Sequence, residues 1–205
     1  MQPIFSRNDD IDKIAFLNWR ITKNSDIRNL MSIAEGYLSA AVRLARLCLI
    51  TNKDKSADML IFPILNNANH GIEIYLKAIM WTINLITGSE EKAQRGHNIR
   101  QLYRTVRSKV RLYNGAISIG VFDQATLELK LYLDELFLLI NATDKQDNMD
   151  FSRYPFSSGY QSHFYVEKMG NVVVDLENFV KQFEHIGIVL DNIATSLYYD
   201  EYQEQ

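Results

Sequence analysis

Residues 57–86 read ADMLIFPILNNANHGIEIYLKAIMWTINLI, and this stretch decides the fold because it is apolar on nearly every side of a helix. A helix of that kind has to be buried. Five polar residues interrupt it at offsets of 4, 3, 4 and 7, which places them in one narrow sector of the helix, here called the polar stripe: Asn66, His70, Glu73, Lys77 and Asn84. Ionisable groups inside such a helix cost free energy unless they pair or face a cleft, so function is sought here first.

The same 3.6-residue rhythm of apolar residues runs through most of the chain, which contains only 3 prolines and 9 glycines. It predicts helices over about 27–50, 57–86, 97–114, 122–140 and 176–199. Ser25 or Asp26 is expected to cap the first of them. The sequence therefore predicts an all-α fold, a helical bundle of four to five long helices in a single domain of residues 1–205.

Two segments depart from the helical rhythm. Residues 1–24 are mixed in character and are predicted to form an N-terminal arm, with its contacts made by Ile14, Phe16, Leu17 and Trp19. Residues 150–175 contain aromatic and β-branched residues on both sides of Gly170-Asn171. That pattern predicts a small β-hairpin inserted before the last helix, with its turn at the Gly-Asn pair.

Composition excludes several functional classes. The net charge of −3 leaves no overall attraction to nucleic acid, so any phosphate binding must come from a local patch. The single cysteine, Cys48, favours a reducing compartment and a structural thiol. There is no signal-peptide pattern at the N-terminus and no run of 18 apolar residues, so we expect a cytoplasmic protein without membrane association. The sequence contains no glycine-rich loop of the kind that binds phosphates, so no cofactor is predicted.

The polar stripe has two interpretations. Glu73 is three residues after His70 and four before Lys77, so it is able to contact both along the helix. One interpretation is an internal ion-pair network that fixes helix register or supports a subunit contact. The other is a polar cleft, completed by His97 from the next helix, that holds a general base or binds phosphate. One His and one Glu on a single turn are too few for a metal site, so none is predicted.

The predicted helix over 97–114 has arginines at intervals of 4, 3 and 4 on the side opposite its apolar residues: Arg100, Arg104, Arg107 and Arg111. Guanidinium groups match the geometry of phosphates and carboxylates. This basic face is either solvated and paired with acids such as Asp134 and Glu135, or it binds RNA or an acidic partner. Four arginines without interleaved acids repel one another, which favours an external anion.

Three short motifs carry a family resemblance. They are Asn69-His70-Gly-Ile-Glu73-Ile-Tyr-Leu-Lys77-Ala, Gly96-His97-Asn98-Ile99, and Arg153-Tyr154-Pro155. Over about residues 30–195 the chain resembles the HEPN (higher eukaryotes and prokaryotes nucleotide-binding) superfamily. The resemblance implies a bundle of four or five helices, a homodimer, and a place in a prokaryotic defence, toxin–antitoxin or RNA-processing system. Many members are metal-independent ribonucleases in which four to six residues separate an Arg from a following His, a spacing that this sequence does not contain.

Three functions follow as hypotheses. The first is a HEPN-like binding or assembly module that contacts RNA, nucleotide or an acidic partner; its binding residues would be the four arginines of the basic face with Lys77 and Arg153. The second is a metal-independent endoribonuclease with a non-standard site. His97, His70 and Glu73 are its catalytic candidates, and Arg95 or Arg153 would stabilise the charge on phosphorus. The third is a purely structural dimer.

Overall fold

The computed structural model describes residues 3–93, 96–140, 148–166 and 168–203. Within these ranges the chain forms six α-helices: α1 (Asp26–Ile50), α2 (Ala57–Ile86), α3 (Ile99–Tyr113), α4 (Ile119–Ala125), α5 (Leu127–Leu139) and α6 (Leu176–Thr195). Short 3-10 helices lie at Ile11–Lys13 and Met149–Ser152, and a π-helix, Ser196–Tyr202, continues α6. The predicted all-α helical bundle is confirmed.

Helix α2 is the centre of the bundle. It packs against α1 along most of its length, and also against α3, α6 and the C-terminal π-helix. Helices α1 and α2 approach each other closely at Gly71, where an added Cβ would lie 2.6 Å from the Leu38 side chain. Only glycine lets the two helices approach this closely at that point. None of the helices in the described ranges combines the length and apolar character needed to cross a membrane.

The helix predicted over 122–140 is divided into α4 and α5 at Thr126. The hydroxyl of Thr126 donates to the carbonyl of Phe122 at 2.8 Å and lies 3.0 Å from the hydroxyl of Tyr103 on α3. A threonine that bonds back to the preceding turn tends to bend a helix. The tertiary contact with Tyr103 fixes the bend, and this contact is not visible in the apolar pattern.

The predicted β-hairpin is not found among the described residues of 150–175. They contain one isolated antiparallel bridge, between Phe156 and Ser162, and no strand at Gly170-Asn171. Aromatic packing organises the segment instead, since the Tyr165 hydroxyl donates to the carbonyls of Phe151 and Tyr154. The aromatic residues that favour a strand in the sequence therefore pack into a compact loop beside α2.

The N-terminal arm differs from its prediction in its contacts. Phe16, Leu17 and Trp19 are exposed, and only Ile14 is half-buried. The arm is attached at its C-terminal end, where the backbone N–H of Thr22 donates to the Asn29 side chain and the Asn29 amide donates back to the Thr22 carbonyl. The start of α1 is fixed by this pair, since Ser25 makes no side-chain capping bond.

Candidate functional site

The carboxylate of Glu73 gathers three basic side chains. Its Oε1 accepts hydrogen bonds from Nζ of Lys77 at 2.7 Å and from Nδ1 of His97 at 3.0 Å. Its Oε2 lies 3.5 Å from Nδ1 of His70. These four residues are called the Glu73 cluster below. Three of them come from the polar stripe of α2, and His97 arrives from the segment immediately before α3.

Local sequence explains how His97 reaches Glu73. The next residue, Asn98, caps α3 by accepting a hydrogen bond from the Gln101 backbone N–H at 2.9 Å. This cap fixes where α3 starts and therefore where His97, which immediately precedes the cap, is placed. Further back, the Asn84 amide donates to the Glu91 carbonyl and ties the connecting loop to α2. Two asparagines thus position the histidine from either side.

Electrostatics keep Glu73 ionised. Burial alone raises the pKa of this carboxyl, since its side chain is only 8% exposed. Hydrogen bonds from His70 and Lys77 and the charges of Lys77 and His97 outweigh burial, and they lower the pKa of Glu73 to about 2. The carboxylate is therefore a fixed negative charge that needs its basic neighbours to remain in the core.

The two histidines of the Glu73 cluster face outward. Because Nδ1 of each ring is turned towards Glu73, the Nε2 atom is the one left for solvent or a ligand. The His97 side chain is 67% exposed. The His70 ring is partly covered by the ring of Tyr37, which it meets edge-on with 4.5 Å between the two ring centres. A carboxylate that holds an imidazole by Nδ1 fixes the ring's tautomer and orientation, as a positioned acid–base group requires.

Other amides of α2 serve the core. Asn69, buried beside His70, accepts a 2.6 Å hydrogen bond from the hydroxyl of Tyr132 on α5. Burial raises the pKa of Tyr132, so its hydroxyl stays protonated and remains a donor. Asn66 of the polar stripe is half-buried and lies outside the Glu73 cluster. The stripe is thus divided between structural amides and one ionic cluster.

The basic face of α3 is not uniform. Arg107 forms a bidentate pair with Asp123 of α4, with both N–O distances 2.6 Å. Arg100 lies over the ring of Phe137, with its guanidinium carbon 4.4 Å from the ring centre. Arg104 and Arg111 are exposed and make no ion pair or hydrogen bond with the described part of the chain. Two of the four arginines are therefore engaged in the fold, and two have no partner among the described residues.

The acids that pair with this face were not the expected ones. Asp134, offered as one example of an acid that could pair with this face, instead accepts a hydrogen bond from Lys130 at 2.7 Å within α5. Asp123, which holds Arg107, was missed because only the packing of α3 against α4 places it there. The sequence offered one signal for this pairing, which is that Asp123 is a carboxylate on the polar side of the helix that follows α3. Sequence spacing alone does not select it.

Arg153 does not join the Glu73 cluster. Its side chain is exposed, and no hydrogen bond or ion pair links it to Glu73, His70 or His97 in the described ranges. Arg95, the other arginine proposed to steady a phosphorane, lies outside the described residues. Among the described residues, no group of three or more His, Cys, Asp or Glu side chains is arranged to hold a metal ion.

Comparisons with models of known protein families, with curated proteins and with solved structures give no match to this chain.

Proposed function

We propose that this chain is a HEPN-like binding module that contacts RNA through the exposed arginines of α3. The observation that supports the proposal most is the state of Arg104 and Arg111, which are exposed and have no internal partner in the described ranges. The HEPN-like assignment itself rests on the three sequence motifs described above. A homodimer, a cytoplasmic location and a role in phage defence or a toxin–antitoxin system belong to the same proposal.

The spacing of the two free arginines suits an extended anion. Arg104 and Arg111 are seven residues apart, which is two turns or about 10 Å along one side of α3. Each guanidinium offers a planar set of donors for phosphate oxygens. The chain carries a net charge of −3, so attraction to RNA would have to act locally at this face. RNA is favoured over an acidic protein because free guanidinium groups spaced along a helix match a repeating phosphate chain.

The binding experiment uses fluorescence anisotropy with a labelled single-stranded RNA of roughly 12 nucleotides. We expect Arg104→Glu/Arg111→Glu to weaken binding at least tenfold while the fold is retained. Arg107 is left unchanged because reversing its charge would break its pair with Asp123. The control is Arg28→Glu/Lys181→Glu, which makes the same change in net charge at exposed positions of α1 and α6. Equal affinities for the two double variants, or absence of RNA binding, would reject the proposal. Retention of an acidic protein instead of RNA would identify the other class of partner.

One contact favours a second candidate, a metal-independent endoribonuclease. It is the 3.0 Å hydrogen bond that orients His97 on Glu73 and leaves Nε2 exposed. In this scheme Nε2 of His97 takes the proton of a ribose 2′-hydroxyl, whose oxygen attacks the adjacent phosphorus while the bond to the 5′-oxygen breaks. His70 is the neighbouring group for protonating that leaving oxygen. The products are a 2′,3′-cyclic phosphate and a 5′-hydroxyl.

The ribonuclease candidate is tested by RNA cleavage in the presence of a chelator. Cleavage that disappears in His97→Ala, while Lys181→Ala cleaves at the wild-type rate, supports it. Absence of cleavage with several RNAs that nevertheless bind leaves the binding module as the function. Absence of both binding and cleavage leaves the purely structural dimer.

A further inference from the structure

We propose that Phe156 and Tyr160 form a stacking platform for a base of single-stranded RNA, with the exposed Arg153 of the same loop as a contact for phosphate. The inference rests on the proposed function, in which α3 binds the phosphate chain, and it adds the surface that binds a base.

The stacking platform consists of two aromatic rings on the surface of the loop that precedes α6. The ring centres of Phe156 and Tyr160 are 5.4 Å apart and their planes differ by 23°, so the rings are stacked on each other. Phe156 is 41% exposed and Tyr160 is 83% exposed. One face of the Tyr160 ring is therefore covered by Phe156, and the rest is open to solvent. Proteins that bind single strands stack nucleobases on open rings of this kind.

Backbone hydrogen bonds hold the stacking platform in place. Phe156 forms an antiparallel bridge with Ser162. Next to it, the backbone N–H of Ser157 donates to the carbonyl of Gln161 at 2.8 Å. The backbone N–H of Tyr160 donates to the carbonyl of Ser157, also at 2.8 Å, and closes the turn. A ring that is carried on a fixed turn loses less conformational entropy when it binds a ligand.

The backbone of Tyr160 points to a role for its side chain outside the fold. This residue lies in the left-handed region, with φ of 57°. Glycine adopts that conformation without strain, whereas a bulky residue rarely does. Burial does not offset the strain, because the Tyr160 ring is exposed. Strained residues of this kind cluster at binding sites.

Charge favours RNA over a neutral ligand such as a glycan. Arg153, three residues before Phe156, is exposed and makes no hydrogen bond or ion pair in the described ranges. The acid closest to it in the sequence is Asp150, which lies 3.3 Å from Nε2 of His163. The loop thus combines an open aromatic surface with an unpaired guanidinium. That combination is typical of sites that bind single-stranded RNA.

One RNA strand is long enough to contact both the stacking platform and α3. The loop packs on α2 through Tyr165, whose ring centre is 5.3 Å from that of Phe62, and α3 packs on α2 as well. A stacked strand of roughly 12 nucleotides is about 40 Å long. A compact chain of this length has a radius of gyration of only about 17 Å. The RNA used to test α3 therefore serves for the stacking platform too.

The test compares two labelled ligands by fluorescence anisotropy. One is the RNA of roughly 12 nucleotides, and the other is an oligomer of equal length built from abasic spacers, which keeps the phosphates and has no bases. We expect wild type to bind the RNA at least about fivefold more tightly than the abasic oligomer. Tyr160→Asn should lose that preference, since asparagine tolerates a left-handed backbone but has no ring. Tyr160→Phe is the matched control and should keep the preference, because stacking does not need the hydroxyl.

Two further measurements accompany this comparison. Thermal unfolding establishes that the variants are folded, and we expect Tyr160→Asn to unfold at the same midpoint as wild type because the ring it removes is exposed. Arg153→Ala should weaken the binding of both ligands by the same factor, since they share the phosphate contact.

The outcomes separate the stacking platform from the α3 function. Equal affinity of wild type for the two ligands, or a folded Tyr160→Asn variant that keeps the preference for RNA, would overturn the stacking platform and leave the α3 function standing. Arg104→Glu/Arg111→Glu should weaken both ligands and keep the preference. If that variant binds as wild type does while Tyr160→Asn loses the preference, the α3 function fails and the stacking platform stands.

Titration with cellohexaose tests the neutral ligand. Binding of this sugar that disappears in Tyr160→Asn would overturn the proposal in favour of a glycan. Absence of RNA binding by wild type would overturn the stacking platform and the α3 function together.

Discussion

Glu73 and His97 are 24 residues apart in the chain, yet Nδ1 of the histidine lies 3.0 Å from Oε1 of the glutamate. This contact joins the buried centre of α2 to the segment that precedes α3. It therefore links a buried charge to the helix that carries Arg104 and Arg111. Changes at Glu73 should consequently affect both stability and the position of α3.

Replacing Glu73 with Gln should destabilise the protein. The substitution removes the charge that binds Lys77 and both histidines and leaves these groups partly buried without a counter-ion. We expect a loss of about 2–3 kcal/mol in the free energy of unfolding, measured by urea denaturation. Lys13→Ala is the control, because its solvent-exposed pair with Asp10 should contribute little to stability. A Glu73→Gln variant as stable as Lys13→Ala would contradict the structural role of the cluster.

The contribution of Glu73 should depend on pH in a defined window. Its pKa is lowered from 4.5 to about 2 in the folded protein, so the stabilisation is fully present above about pH 4.5. It should be lost as the pH falls from there towards 2. The difference in unfolding free energy between wild type and Glu73→Gln, about 3 kcal/mol at neutral pH, should shrink across this window. A difference that stays constant down to pH 2 would show that the charge of Glu73 is not responsible.

Substitutions at Arg107 and Arg104 should differ in their effect on stability. Arg107→Ala breaks the bidentate pair with Asp123, which is partly exposed, and should lower the midpoint of thermal unfolding slightly. Arg104→Ala removes a side chain with no internal partner in the described ranges and should leave the midpoint of thermal unfolding unchanged. Equal effects of the two substitutions would mean that the face is uniform. The separation between engaged and free arginines would then be lost.

Gly71 should be intolerant of a side chain. A Cβ there would lie 2.6 Å from Cγ and 3.1 Å from the backbone nitrogen of Leu38, so α1 and α2 must move apart. We expect Gly71→Ala to destabilise by about 1–3 kcal/mol. Gly36→Ala on α1 is the matched control, since nothing lies within 4 Å of its added Cβ. That change should be neutral or stabilise by up to about 1 kcal/mol through helix propensity. The reverse order of the two variants in urea denaturation would refute this account of the packing.

The sequence predicts local features of this protein well and tertiary ones unevenly. The periodicity of apolar residues predicts α2 over Ala57–Ile86. A helix of that length that is apolar on nearly every side has to be buried, so its central position was predictable as well. The approach of His97 to the polar stripe was also foreseeable, since the connection between the two helices is short. The break at Thr126 was not, because it depends on a hydroxyl of α3 that reaches across the bundle.

The segment 150–175 shows why strand propensity alone misleads. Aromatic residues favour strands in general, but here Phe151 and Phe164 pack against each other and Tyr165 bonds back to nearby carbonyls. His163 is buried, with its Nε2 3.3 Å from a carboxylate oxygen of Asp150. Side-chain packing within the segment and against α2 selects this compact loop, and no local pattern records it. The division of the α3 arginines has the same cause, since Asp123 reaches Arg107 only in the folded bundle.

The salt dependence of RNA affinity tests the central claim, that the free arginines of α3 bind phosphate, most directly. The logarithm of the binding constant is measured against the logarithm of salt concentration for wild type and Arg104→Ala/Arg111→Ala. Loss of two phosphate contacts should make the slope shallower by about 1.4 to 2. Parallel lines of equal affinity, or a wild-type protein with no measurable affinity for RNA, would contradict the claim.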